Sequence, residues 1–132
     1  MDRQFDTLLG YLALARRPGR SAEVDDRTRL LVSELAAERS GCRWCIERVR
    51  HDWRAAGLPV DLLQQLPRHA TSPALTDRDR AALALVDAVA CAGAGGDPAA
   101  ALAGARRHFS ERGLAELTAC LADHHLIADD HP

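Results

Sequence analysis

The feature that most constrains this chain is its punctuation. Runs rich in Ala and Leu are separated by Gly- and Pro-containing breaks: Pro18-Gly19, Ser40-Gly41, "AAGLP" and "GAGGDP". Ala and Leu are strong helix formers, whereas Gly and Pro end helices. The breaks predict a helix over about Asp6 to Arg17, a second over Glu23 to Arg39, and a third starting at or near Cys42. Gly57 in the left-handed conformation and Pro59 stop the third, and a short helix follows at Val60 to Leu66. After a loop over 67–75, Thr76 and Asp79 make a capping-box-like start for a helix over Asp77 to Ala92. Asp97 and Pro98 open the next, to roughly His108, and Ser110 caps a last one over Glu111 to about Ala128.

The expected fold class is therefore all-α, a compact bundle of six or seven helices in a single domain over 1–132. Aromatics are 4% of the 132 residues, so the core must come from Ala, Leu and Val. All 17 basic residues are Arg, and the net charge is −2. Coding bias accounts for that Arg usage, and the missing basic excess speaks against a nucleic-acid partner. The opening "MDRQFDTLLG" does not look like a secretory leader, and no apolar run is long enough to span a bilayer. The expectation is a cytoplasmic protein with no membrane partner, in which a Cys-x-x-Cys is catalytic or metal-binding rather than structural.

That motif is "SGCRWCIERVRH", residues 40–51. Cys42 and Cys45 lie one helical turn apart, close enough for a disulfide. A helix start favours thiolate, and Arg39, Arg43 and Arg48 stand nearby as further stabilisers. A metal needs more ligands. His51 lies about 120° from the face of Cys45, and adjacent His124 and His125 diverge by about 100°, so at most one of them would serve easily. The residues thus favour a redox pair over a metal half-site or two small core residues, and no metal or cofactor is assigned.

The stretch "RTRLLVSELAAERSGCRWCIERVRHDWRAAGLP", together with "LTDRDRAALALVDAV" and "HFSERGLAELTACLA", resembles the family of alkyl hydroperoxidase D-like proteins and carboxymuconolactone decarboxylases. The resemblance implies a homo-oligomer (trimer or hexamer, with a dimer as the alternative) whose dithiol reduces hydroperoxides or exchanges with disulfides in antioxidant defence. It also implies a dithiol electron donor, and it makes Cys45 the peroxide-attacking thiol and Cys42 the resolving one. Helix position alone favours Cys42 as the more acidic, so the order stays open.

Two positions depart from the family pattern. Val49 stands four residues after Cys45, where the pattern has a His, and Leu30 stands twelve before Cys42, where it has a Glu. These are the family's proton relay. The spacing of Cys42, Ile46, Val49, Trp53 and Ala56 predicts one buried stripe through Val49. Glu34 and Glu38 are the candidate replacement acids, His51 is a candidate proton donor from another helix face or across an interface, and Arg48 is a candidate thiolate stabiliser. The alternative reading is a non-catalytic or redox-sensing binding protein on the same fold. A lactone decarboxylase is disfavoured because no His sits where that chemistry needs one.

Of the remaining residues, Cys91, Cys120 and Trp53 are expected in the core. Trp44 is expected to wall a pocket or pack on a neighbouring subunit. Asp123, His124 and His125 are placed at the surface, with a second subunit's pocket as the other reading. His69, His108 and His131 carry no functional assignment.

Overall fold

The computed structural model describes residues 3–16, 23–92 and 96–127. Seven α-helices and a 3₁₀ turn, with no strand, are found among them: α1 (Arg3–Ala15), α2 (Asp26–Ser40), α3 (Arg43–Ala55), α4 (Val60–Gln65), the turn Leu66–Arg68, α5 (Asp77–Ala90), α6 (Pro98–Ala105) and α7 (Glu111–Asp123). The expected stop at Pro18-Gly19, Gly93 to Gly95 of "GAGGDP", and Ala128 and His131 lie outside the described residues.

Most helix starts follow the predicted caps. Thr76 and Asp79 form the reciprocal capping box of α5, Asp97 accepts from the Ala100 N–H ahead of Pro98, and Ser110 accepts from the Gly113 N–H. Such caps are each worth about 1 kcal/mol. The second helix starts later than expected. Asp25 caps it through the Thr28 N–H at 2.7 Å, while the Glu116 carboxylate of α7 takes the N–H groups of Glu23 and Val24 at 2.7 and 3.2 Å. Those amides, committed to α7, fix the entry to α2 instead of extending it.

The core is organised around α2, which packs against α3, α5 and α7, while α1 lies along α7 and α6 along α5. Residues 30–37 of α2 are buried without interruption. A helix enclosed on all sides differs from a one-faced amphipathic surface helix. Its enclosure takes in Ser33 and Glu34 as well.

Gly41 makes the turn that positions the dithiol. At φ +69° it lets its own N–H return to the Glu38 carbonyl and the Cys42 N–H to that of Ala37, closing α2 in a Schellman motif. Cys42 is then already the N-cap of α3. Gly57, at φ +73°, closes α3 in the same way, with Leu58 bonding back to Trp53.

Candidate functional site: the Cys42–Cys45 disulfide and the end of α7

Cys42 and Cys45 are joined as a disulfide, with Cα atoms 5.2 Å apart. The Cys42 sulfur also accepts the Cys45 N–H at 3.2 Å, so it is the side-chain cap of α3. A sulfur in that place faces the unpaired amides of the first turn, which favours negative charge on it once the bond opens.

The two cysteines differ in access. Cys45 is 1% exposed, whereas Cys42 is only partly covered. The buried stripe of α3 runs through Cys45, Val49 and Trp53, not through Cys42. Cys42 falls off it because it precedes the helix, and Ala56 is exposed at the other end. Trp53 closes the stripe in the core, donating its indole N–H to the Pro59 carbonyl at 3.0 Å. Trp44, between the cysteines, is 69% exposed.

The imidazole at the pair comes from the far end of the chain. A ring nitrogen of His125 and the two sulfurs all lie within 4.8 Å of one another. His125 follows α7 at φ +68°, the one positive-φ residue other than glycine among the described residues. Its N–H returns to the Ala122 carbonyl and the Leu126 N–H to that of Leu121. This is the bonding pattern seen at Gly41 and Gly57, with histidine in the glycine place. Left-handed backbone costs a side-chain-bearing residue about 1 kcal/mol. That conformation carries the ring of His125 to the sulfurs. Sequence reasoning put His125 at the surface or in another subunit's pocket. It is exposed, but it stands against the dithiol of its own chain.

α2 and α3 also share an ionic cluster built on a buried carboxylate. Glu34 is 0% exposed and takes two hydrogen bonds from the Arg50 guanidinium, at 3.1 and 3.2 Å, on one oxygen. Its other oxygen, Oε1, has no ordinary donor. Glu38 is its acidic neighbour on the same helix. Burial, a hydrogen bond to Glu34 and the charge of Glu34 push its carboxyl up to about 7. His124, half-buried beside this cluster, is held below its ordinary value mainly by burial, and its Nδ1 is unpartnered. Arg50 had not been singled out in the sequence. An exposed-looking arginine becomes informative only when α3 is laid on the buried carboxylate of α2.

The other sequence candidates are dispersed. His51 is exposed on α3. Arg48 lies 3.8 Å from Asp52 and is largely solvated. Arg39 is engaged elsewhere, donating to Asp87 at 2.7 Å, while Asp87 also holds His69 at 2.6 Å. That node ties α2, α5 and the 3₁₀ turn together. Cys91 is exposed at the end of α5, not in the core; Cys120 is buried, and burial pushes its thiol up to about 11.

Leu30 and Val49, the two positions that depart from the relay pattern, come together. Both line a cleft of about 380 Å³ between α2 and α3, with Ser33, Arg48, Asp52 and His124 around them.

These features define a helical protein in which a disulfide-bonded cysteine pair opens a helix beside an imidazole. The particular fold is that of an alkyl hydroperoxidase D-like protein. The chain superposes on a crystal structure from Agrobacterium tumefaciens, described as a protein of unknown function and candidate antioxidant defence protein AhpD. The TM-score is 0.62 and the identity 23%, covering 98% of this chain and 89% of that one. No family model and no curated protein matches the chain. The likeness shows the fold. No described helix is long and apolar enough to cross a membrane.

Proposed function

We propose that this single-domain chain is a cytoplasmic thiol oxidoreductase that reduces hydroperoxides or disulfides through a Cys42–Cys45 dithiol/disulfide cycle. The observation that carries the reading is the imidazole of His125 beside both sulfurs. Accessibility and the helix-start amide favour Cys42 as the attacking thiol. His125 takes its proton, and the thiolate attacks the terminal peroxide oxygen. The O–O bond breaks, leaving a sulfenic acid on Cys42, and the departing alkoxide takes the proton back as an alcohol. Cys45 then displaces water from the sulfenic acid, closing the disulfide. A dithiol donor reopens it by exchange, returning two electrons and two protons.

In this scheme His125 replaces the relay histidine whose place is held by Val49. Glu38 and Glu34 form a proton-holding pair on α2. Arg48 and His51, both solvated, have peripheral parts at most. Exposed Trp44 supports contact with a second subunit in a homo-oligomer or with the electron donor. A redox-sensing binding protein is the second reading, favoured by the apolar floor that Leu30 and Val49 give the cleft.

Steady-state hydroperoxide consumption with a dithiol donor tests the proposal. Turnover that disappears in both Cys42→Ser and Cys45→Ser supports it. A disulfide that forms and reopens reversibly, yet turns over no peroxide or disulfide substrate, leaves the sensor.

A further inference from the structure

We propose that the reduced site is a zinc site, with Cys42 and Cys45 as thiolate ligands and His125 as the imidazole ligand, and that oxidation of the pair expels the ion. The inference rests on the preceding reading in one respect: only the open dithiol offers two separate sulfur ligands.

The geometry suits a tetrahedral ion. With Zn–S near 2.3 Å and Zn–N near 2.0–2.1 Å, neighbouring ligand atoms stand roughly 3.6–3.8 Å apart. The three ligand atoms here already lie within 4.8 Å of one another. Opening the disulfide lets the sulfurs part to that spacing without moving the backbone, because Cys-x-x-Cys places their Cα atoms only 5.2 Å apart. The Cys45 N–H on the Cys42 sulfur stabilises the anionic ligand that zinc needs.

Of the two adjacent histidines that the sequence offers as ligands, His125 is the one brought to the sulfurs. His51, the obvious candidate by proximity in the chain, stays on the exposed face of α3. His125 reaches the sulfurs through a left-handed backbone that glycine would occupy at less cost. Two thiolates and an imidazole select a soft or borderline cation over magnesium or calcium. Because His125 is exposed and Cys42 only partly covered, the fourth position opens to water. That is the three-ligand arrangement of zinc sites that exchange a ligand, not that of closed structural ones.

The redox step balances with the hydroperoxide as oxidant. The zinc dithiolate, one hydroperoxide and two protons give the disulfide, one alcohol, one water and free zinc. The two sulfurs together lose two electrons, and the peroxide O–O bond gains them. Zinc keeps its charge throughout and leaves because the disulfide is no longer an anionic ligand.

The test is zinc titration of the reduced protein without oxygen, followed by cobalt substitution. One equivalent per chain is expected, with a sulfur-to-cobalt charge-transfer band in the near ultraviolet. Cys42→Ser and Cys45→Ser should each weaken binding by about two orders of magnitude or more, and His125→Gly by about tenfold or more. Cys91→Ser, which changes the exposed free thiol, should leave binding unchanged. One hydroperoxide should release one zinc, read with a chromophoric indicator. Absence of binding by the reduced protein, or binding that survives oxidation or Cys42→Ser, overturns the site. The two proposals fail separately. A pair that turns over peroxide but binds no zinc removes only the metal site. Zinc bound and released by a chemical oxidant, with no turnover of peroxide or disulfide, removes only the enzymatic reading.

Discussion

His125 stands against Cys42 and Cys45 across the junction of two helices, its ring nitrogen within 4.8 Å of both sulfurs. The contact joins the residues that follow α7 to the first turn of α3, and α4, α5 and α6 lie between them in the chain. The relay position on α3 itself is filled by Val49, which is buried. A valine there seals the core, and the imidazole beside the sulfurs comes from elsewhere in the chain.

The first prediction concerns stability. At φ +68°, His125 occupies a glycine-type position. His125→Gly should raise stability by about 0.5–1 kcal/mol, because glycine adopts that backbone without the side-chain penalty. His125→Ala should not. Chemical denaturation of the two variants with the disulfide intact measures the difference, and a glycine variant less stable than the alanine one refutes the assignment of strain.

A second prediction follows from Glu38. Burial beside Glu34 lifts its carboxyl from the ordinary 4.5 to about 7. Below pH 4.5 folded and unfolded chains both hold this proton, so the group contributes nothing to the difference. Between 4.5 and about 7 the unfolded chain has lost it while the folded chain keeps it. Folding then binds a proton, and stability falls as pH rises. Glu38→Gln should flatten that decline, measured as unfolding free energy against pH across the window. An unchanged slope would place the proton elsewhere.

Arg50 gives the third. It is the cation that Glu34 meets in the interior, at 3.1 Å. Arg50→Ala leaves a buried carboxylate uncompensated. The cost should be about 2–3 kcal/mol, below the fully buried limit because the guanidinium is half-exposed. Adding Glu34→Gln should recover much of it, since the neutral amide no longer needs the cation. A double variant as unstable as the sum of the two singles would contradict the pairing.

Much of the fold was legible because helix ends are written locally. Thr76 with Asp79, Asp97 with Pro98, Ser110, Gly41 and Gly57 each satisfy backbone groups within a few residues, and each acts where expected. The helix start that moved, at Glu23, did so because its amides bond to Glu116, a partner far along the chain. The stripe of α3 shifted from Cys42 to Cys45 for a related reason. A residue that caps a helix lies outside its periodicity, so extending the 3.6-residue repeat back to Cys42 misplaced it. The dithiol itself was plain from its spacing. Its imidazole was not, because "DHH" follows a helix with no local sign of where the bundle carries it. The Arg50–Glu34–Glu38 cluster was half visible, as two acids without their cation.

The most direct measurement of the central claim is the rate at which an alkyl hydroperoxide oxidises the reduced Cys42–Cys45 pair, followed by stopped flow in the wild type and in His125→Gly, with both proteins metal-free. The expected rate is lower by about 10²–10⁴-fold in the variant, the usual contribution of a positioned general base, while its folded stability is equal or higher. Equal oxidation rates in the two proteins would contradict it, leaving His125 a bystander at the end of α7.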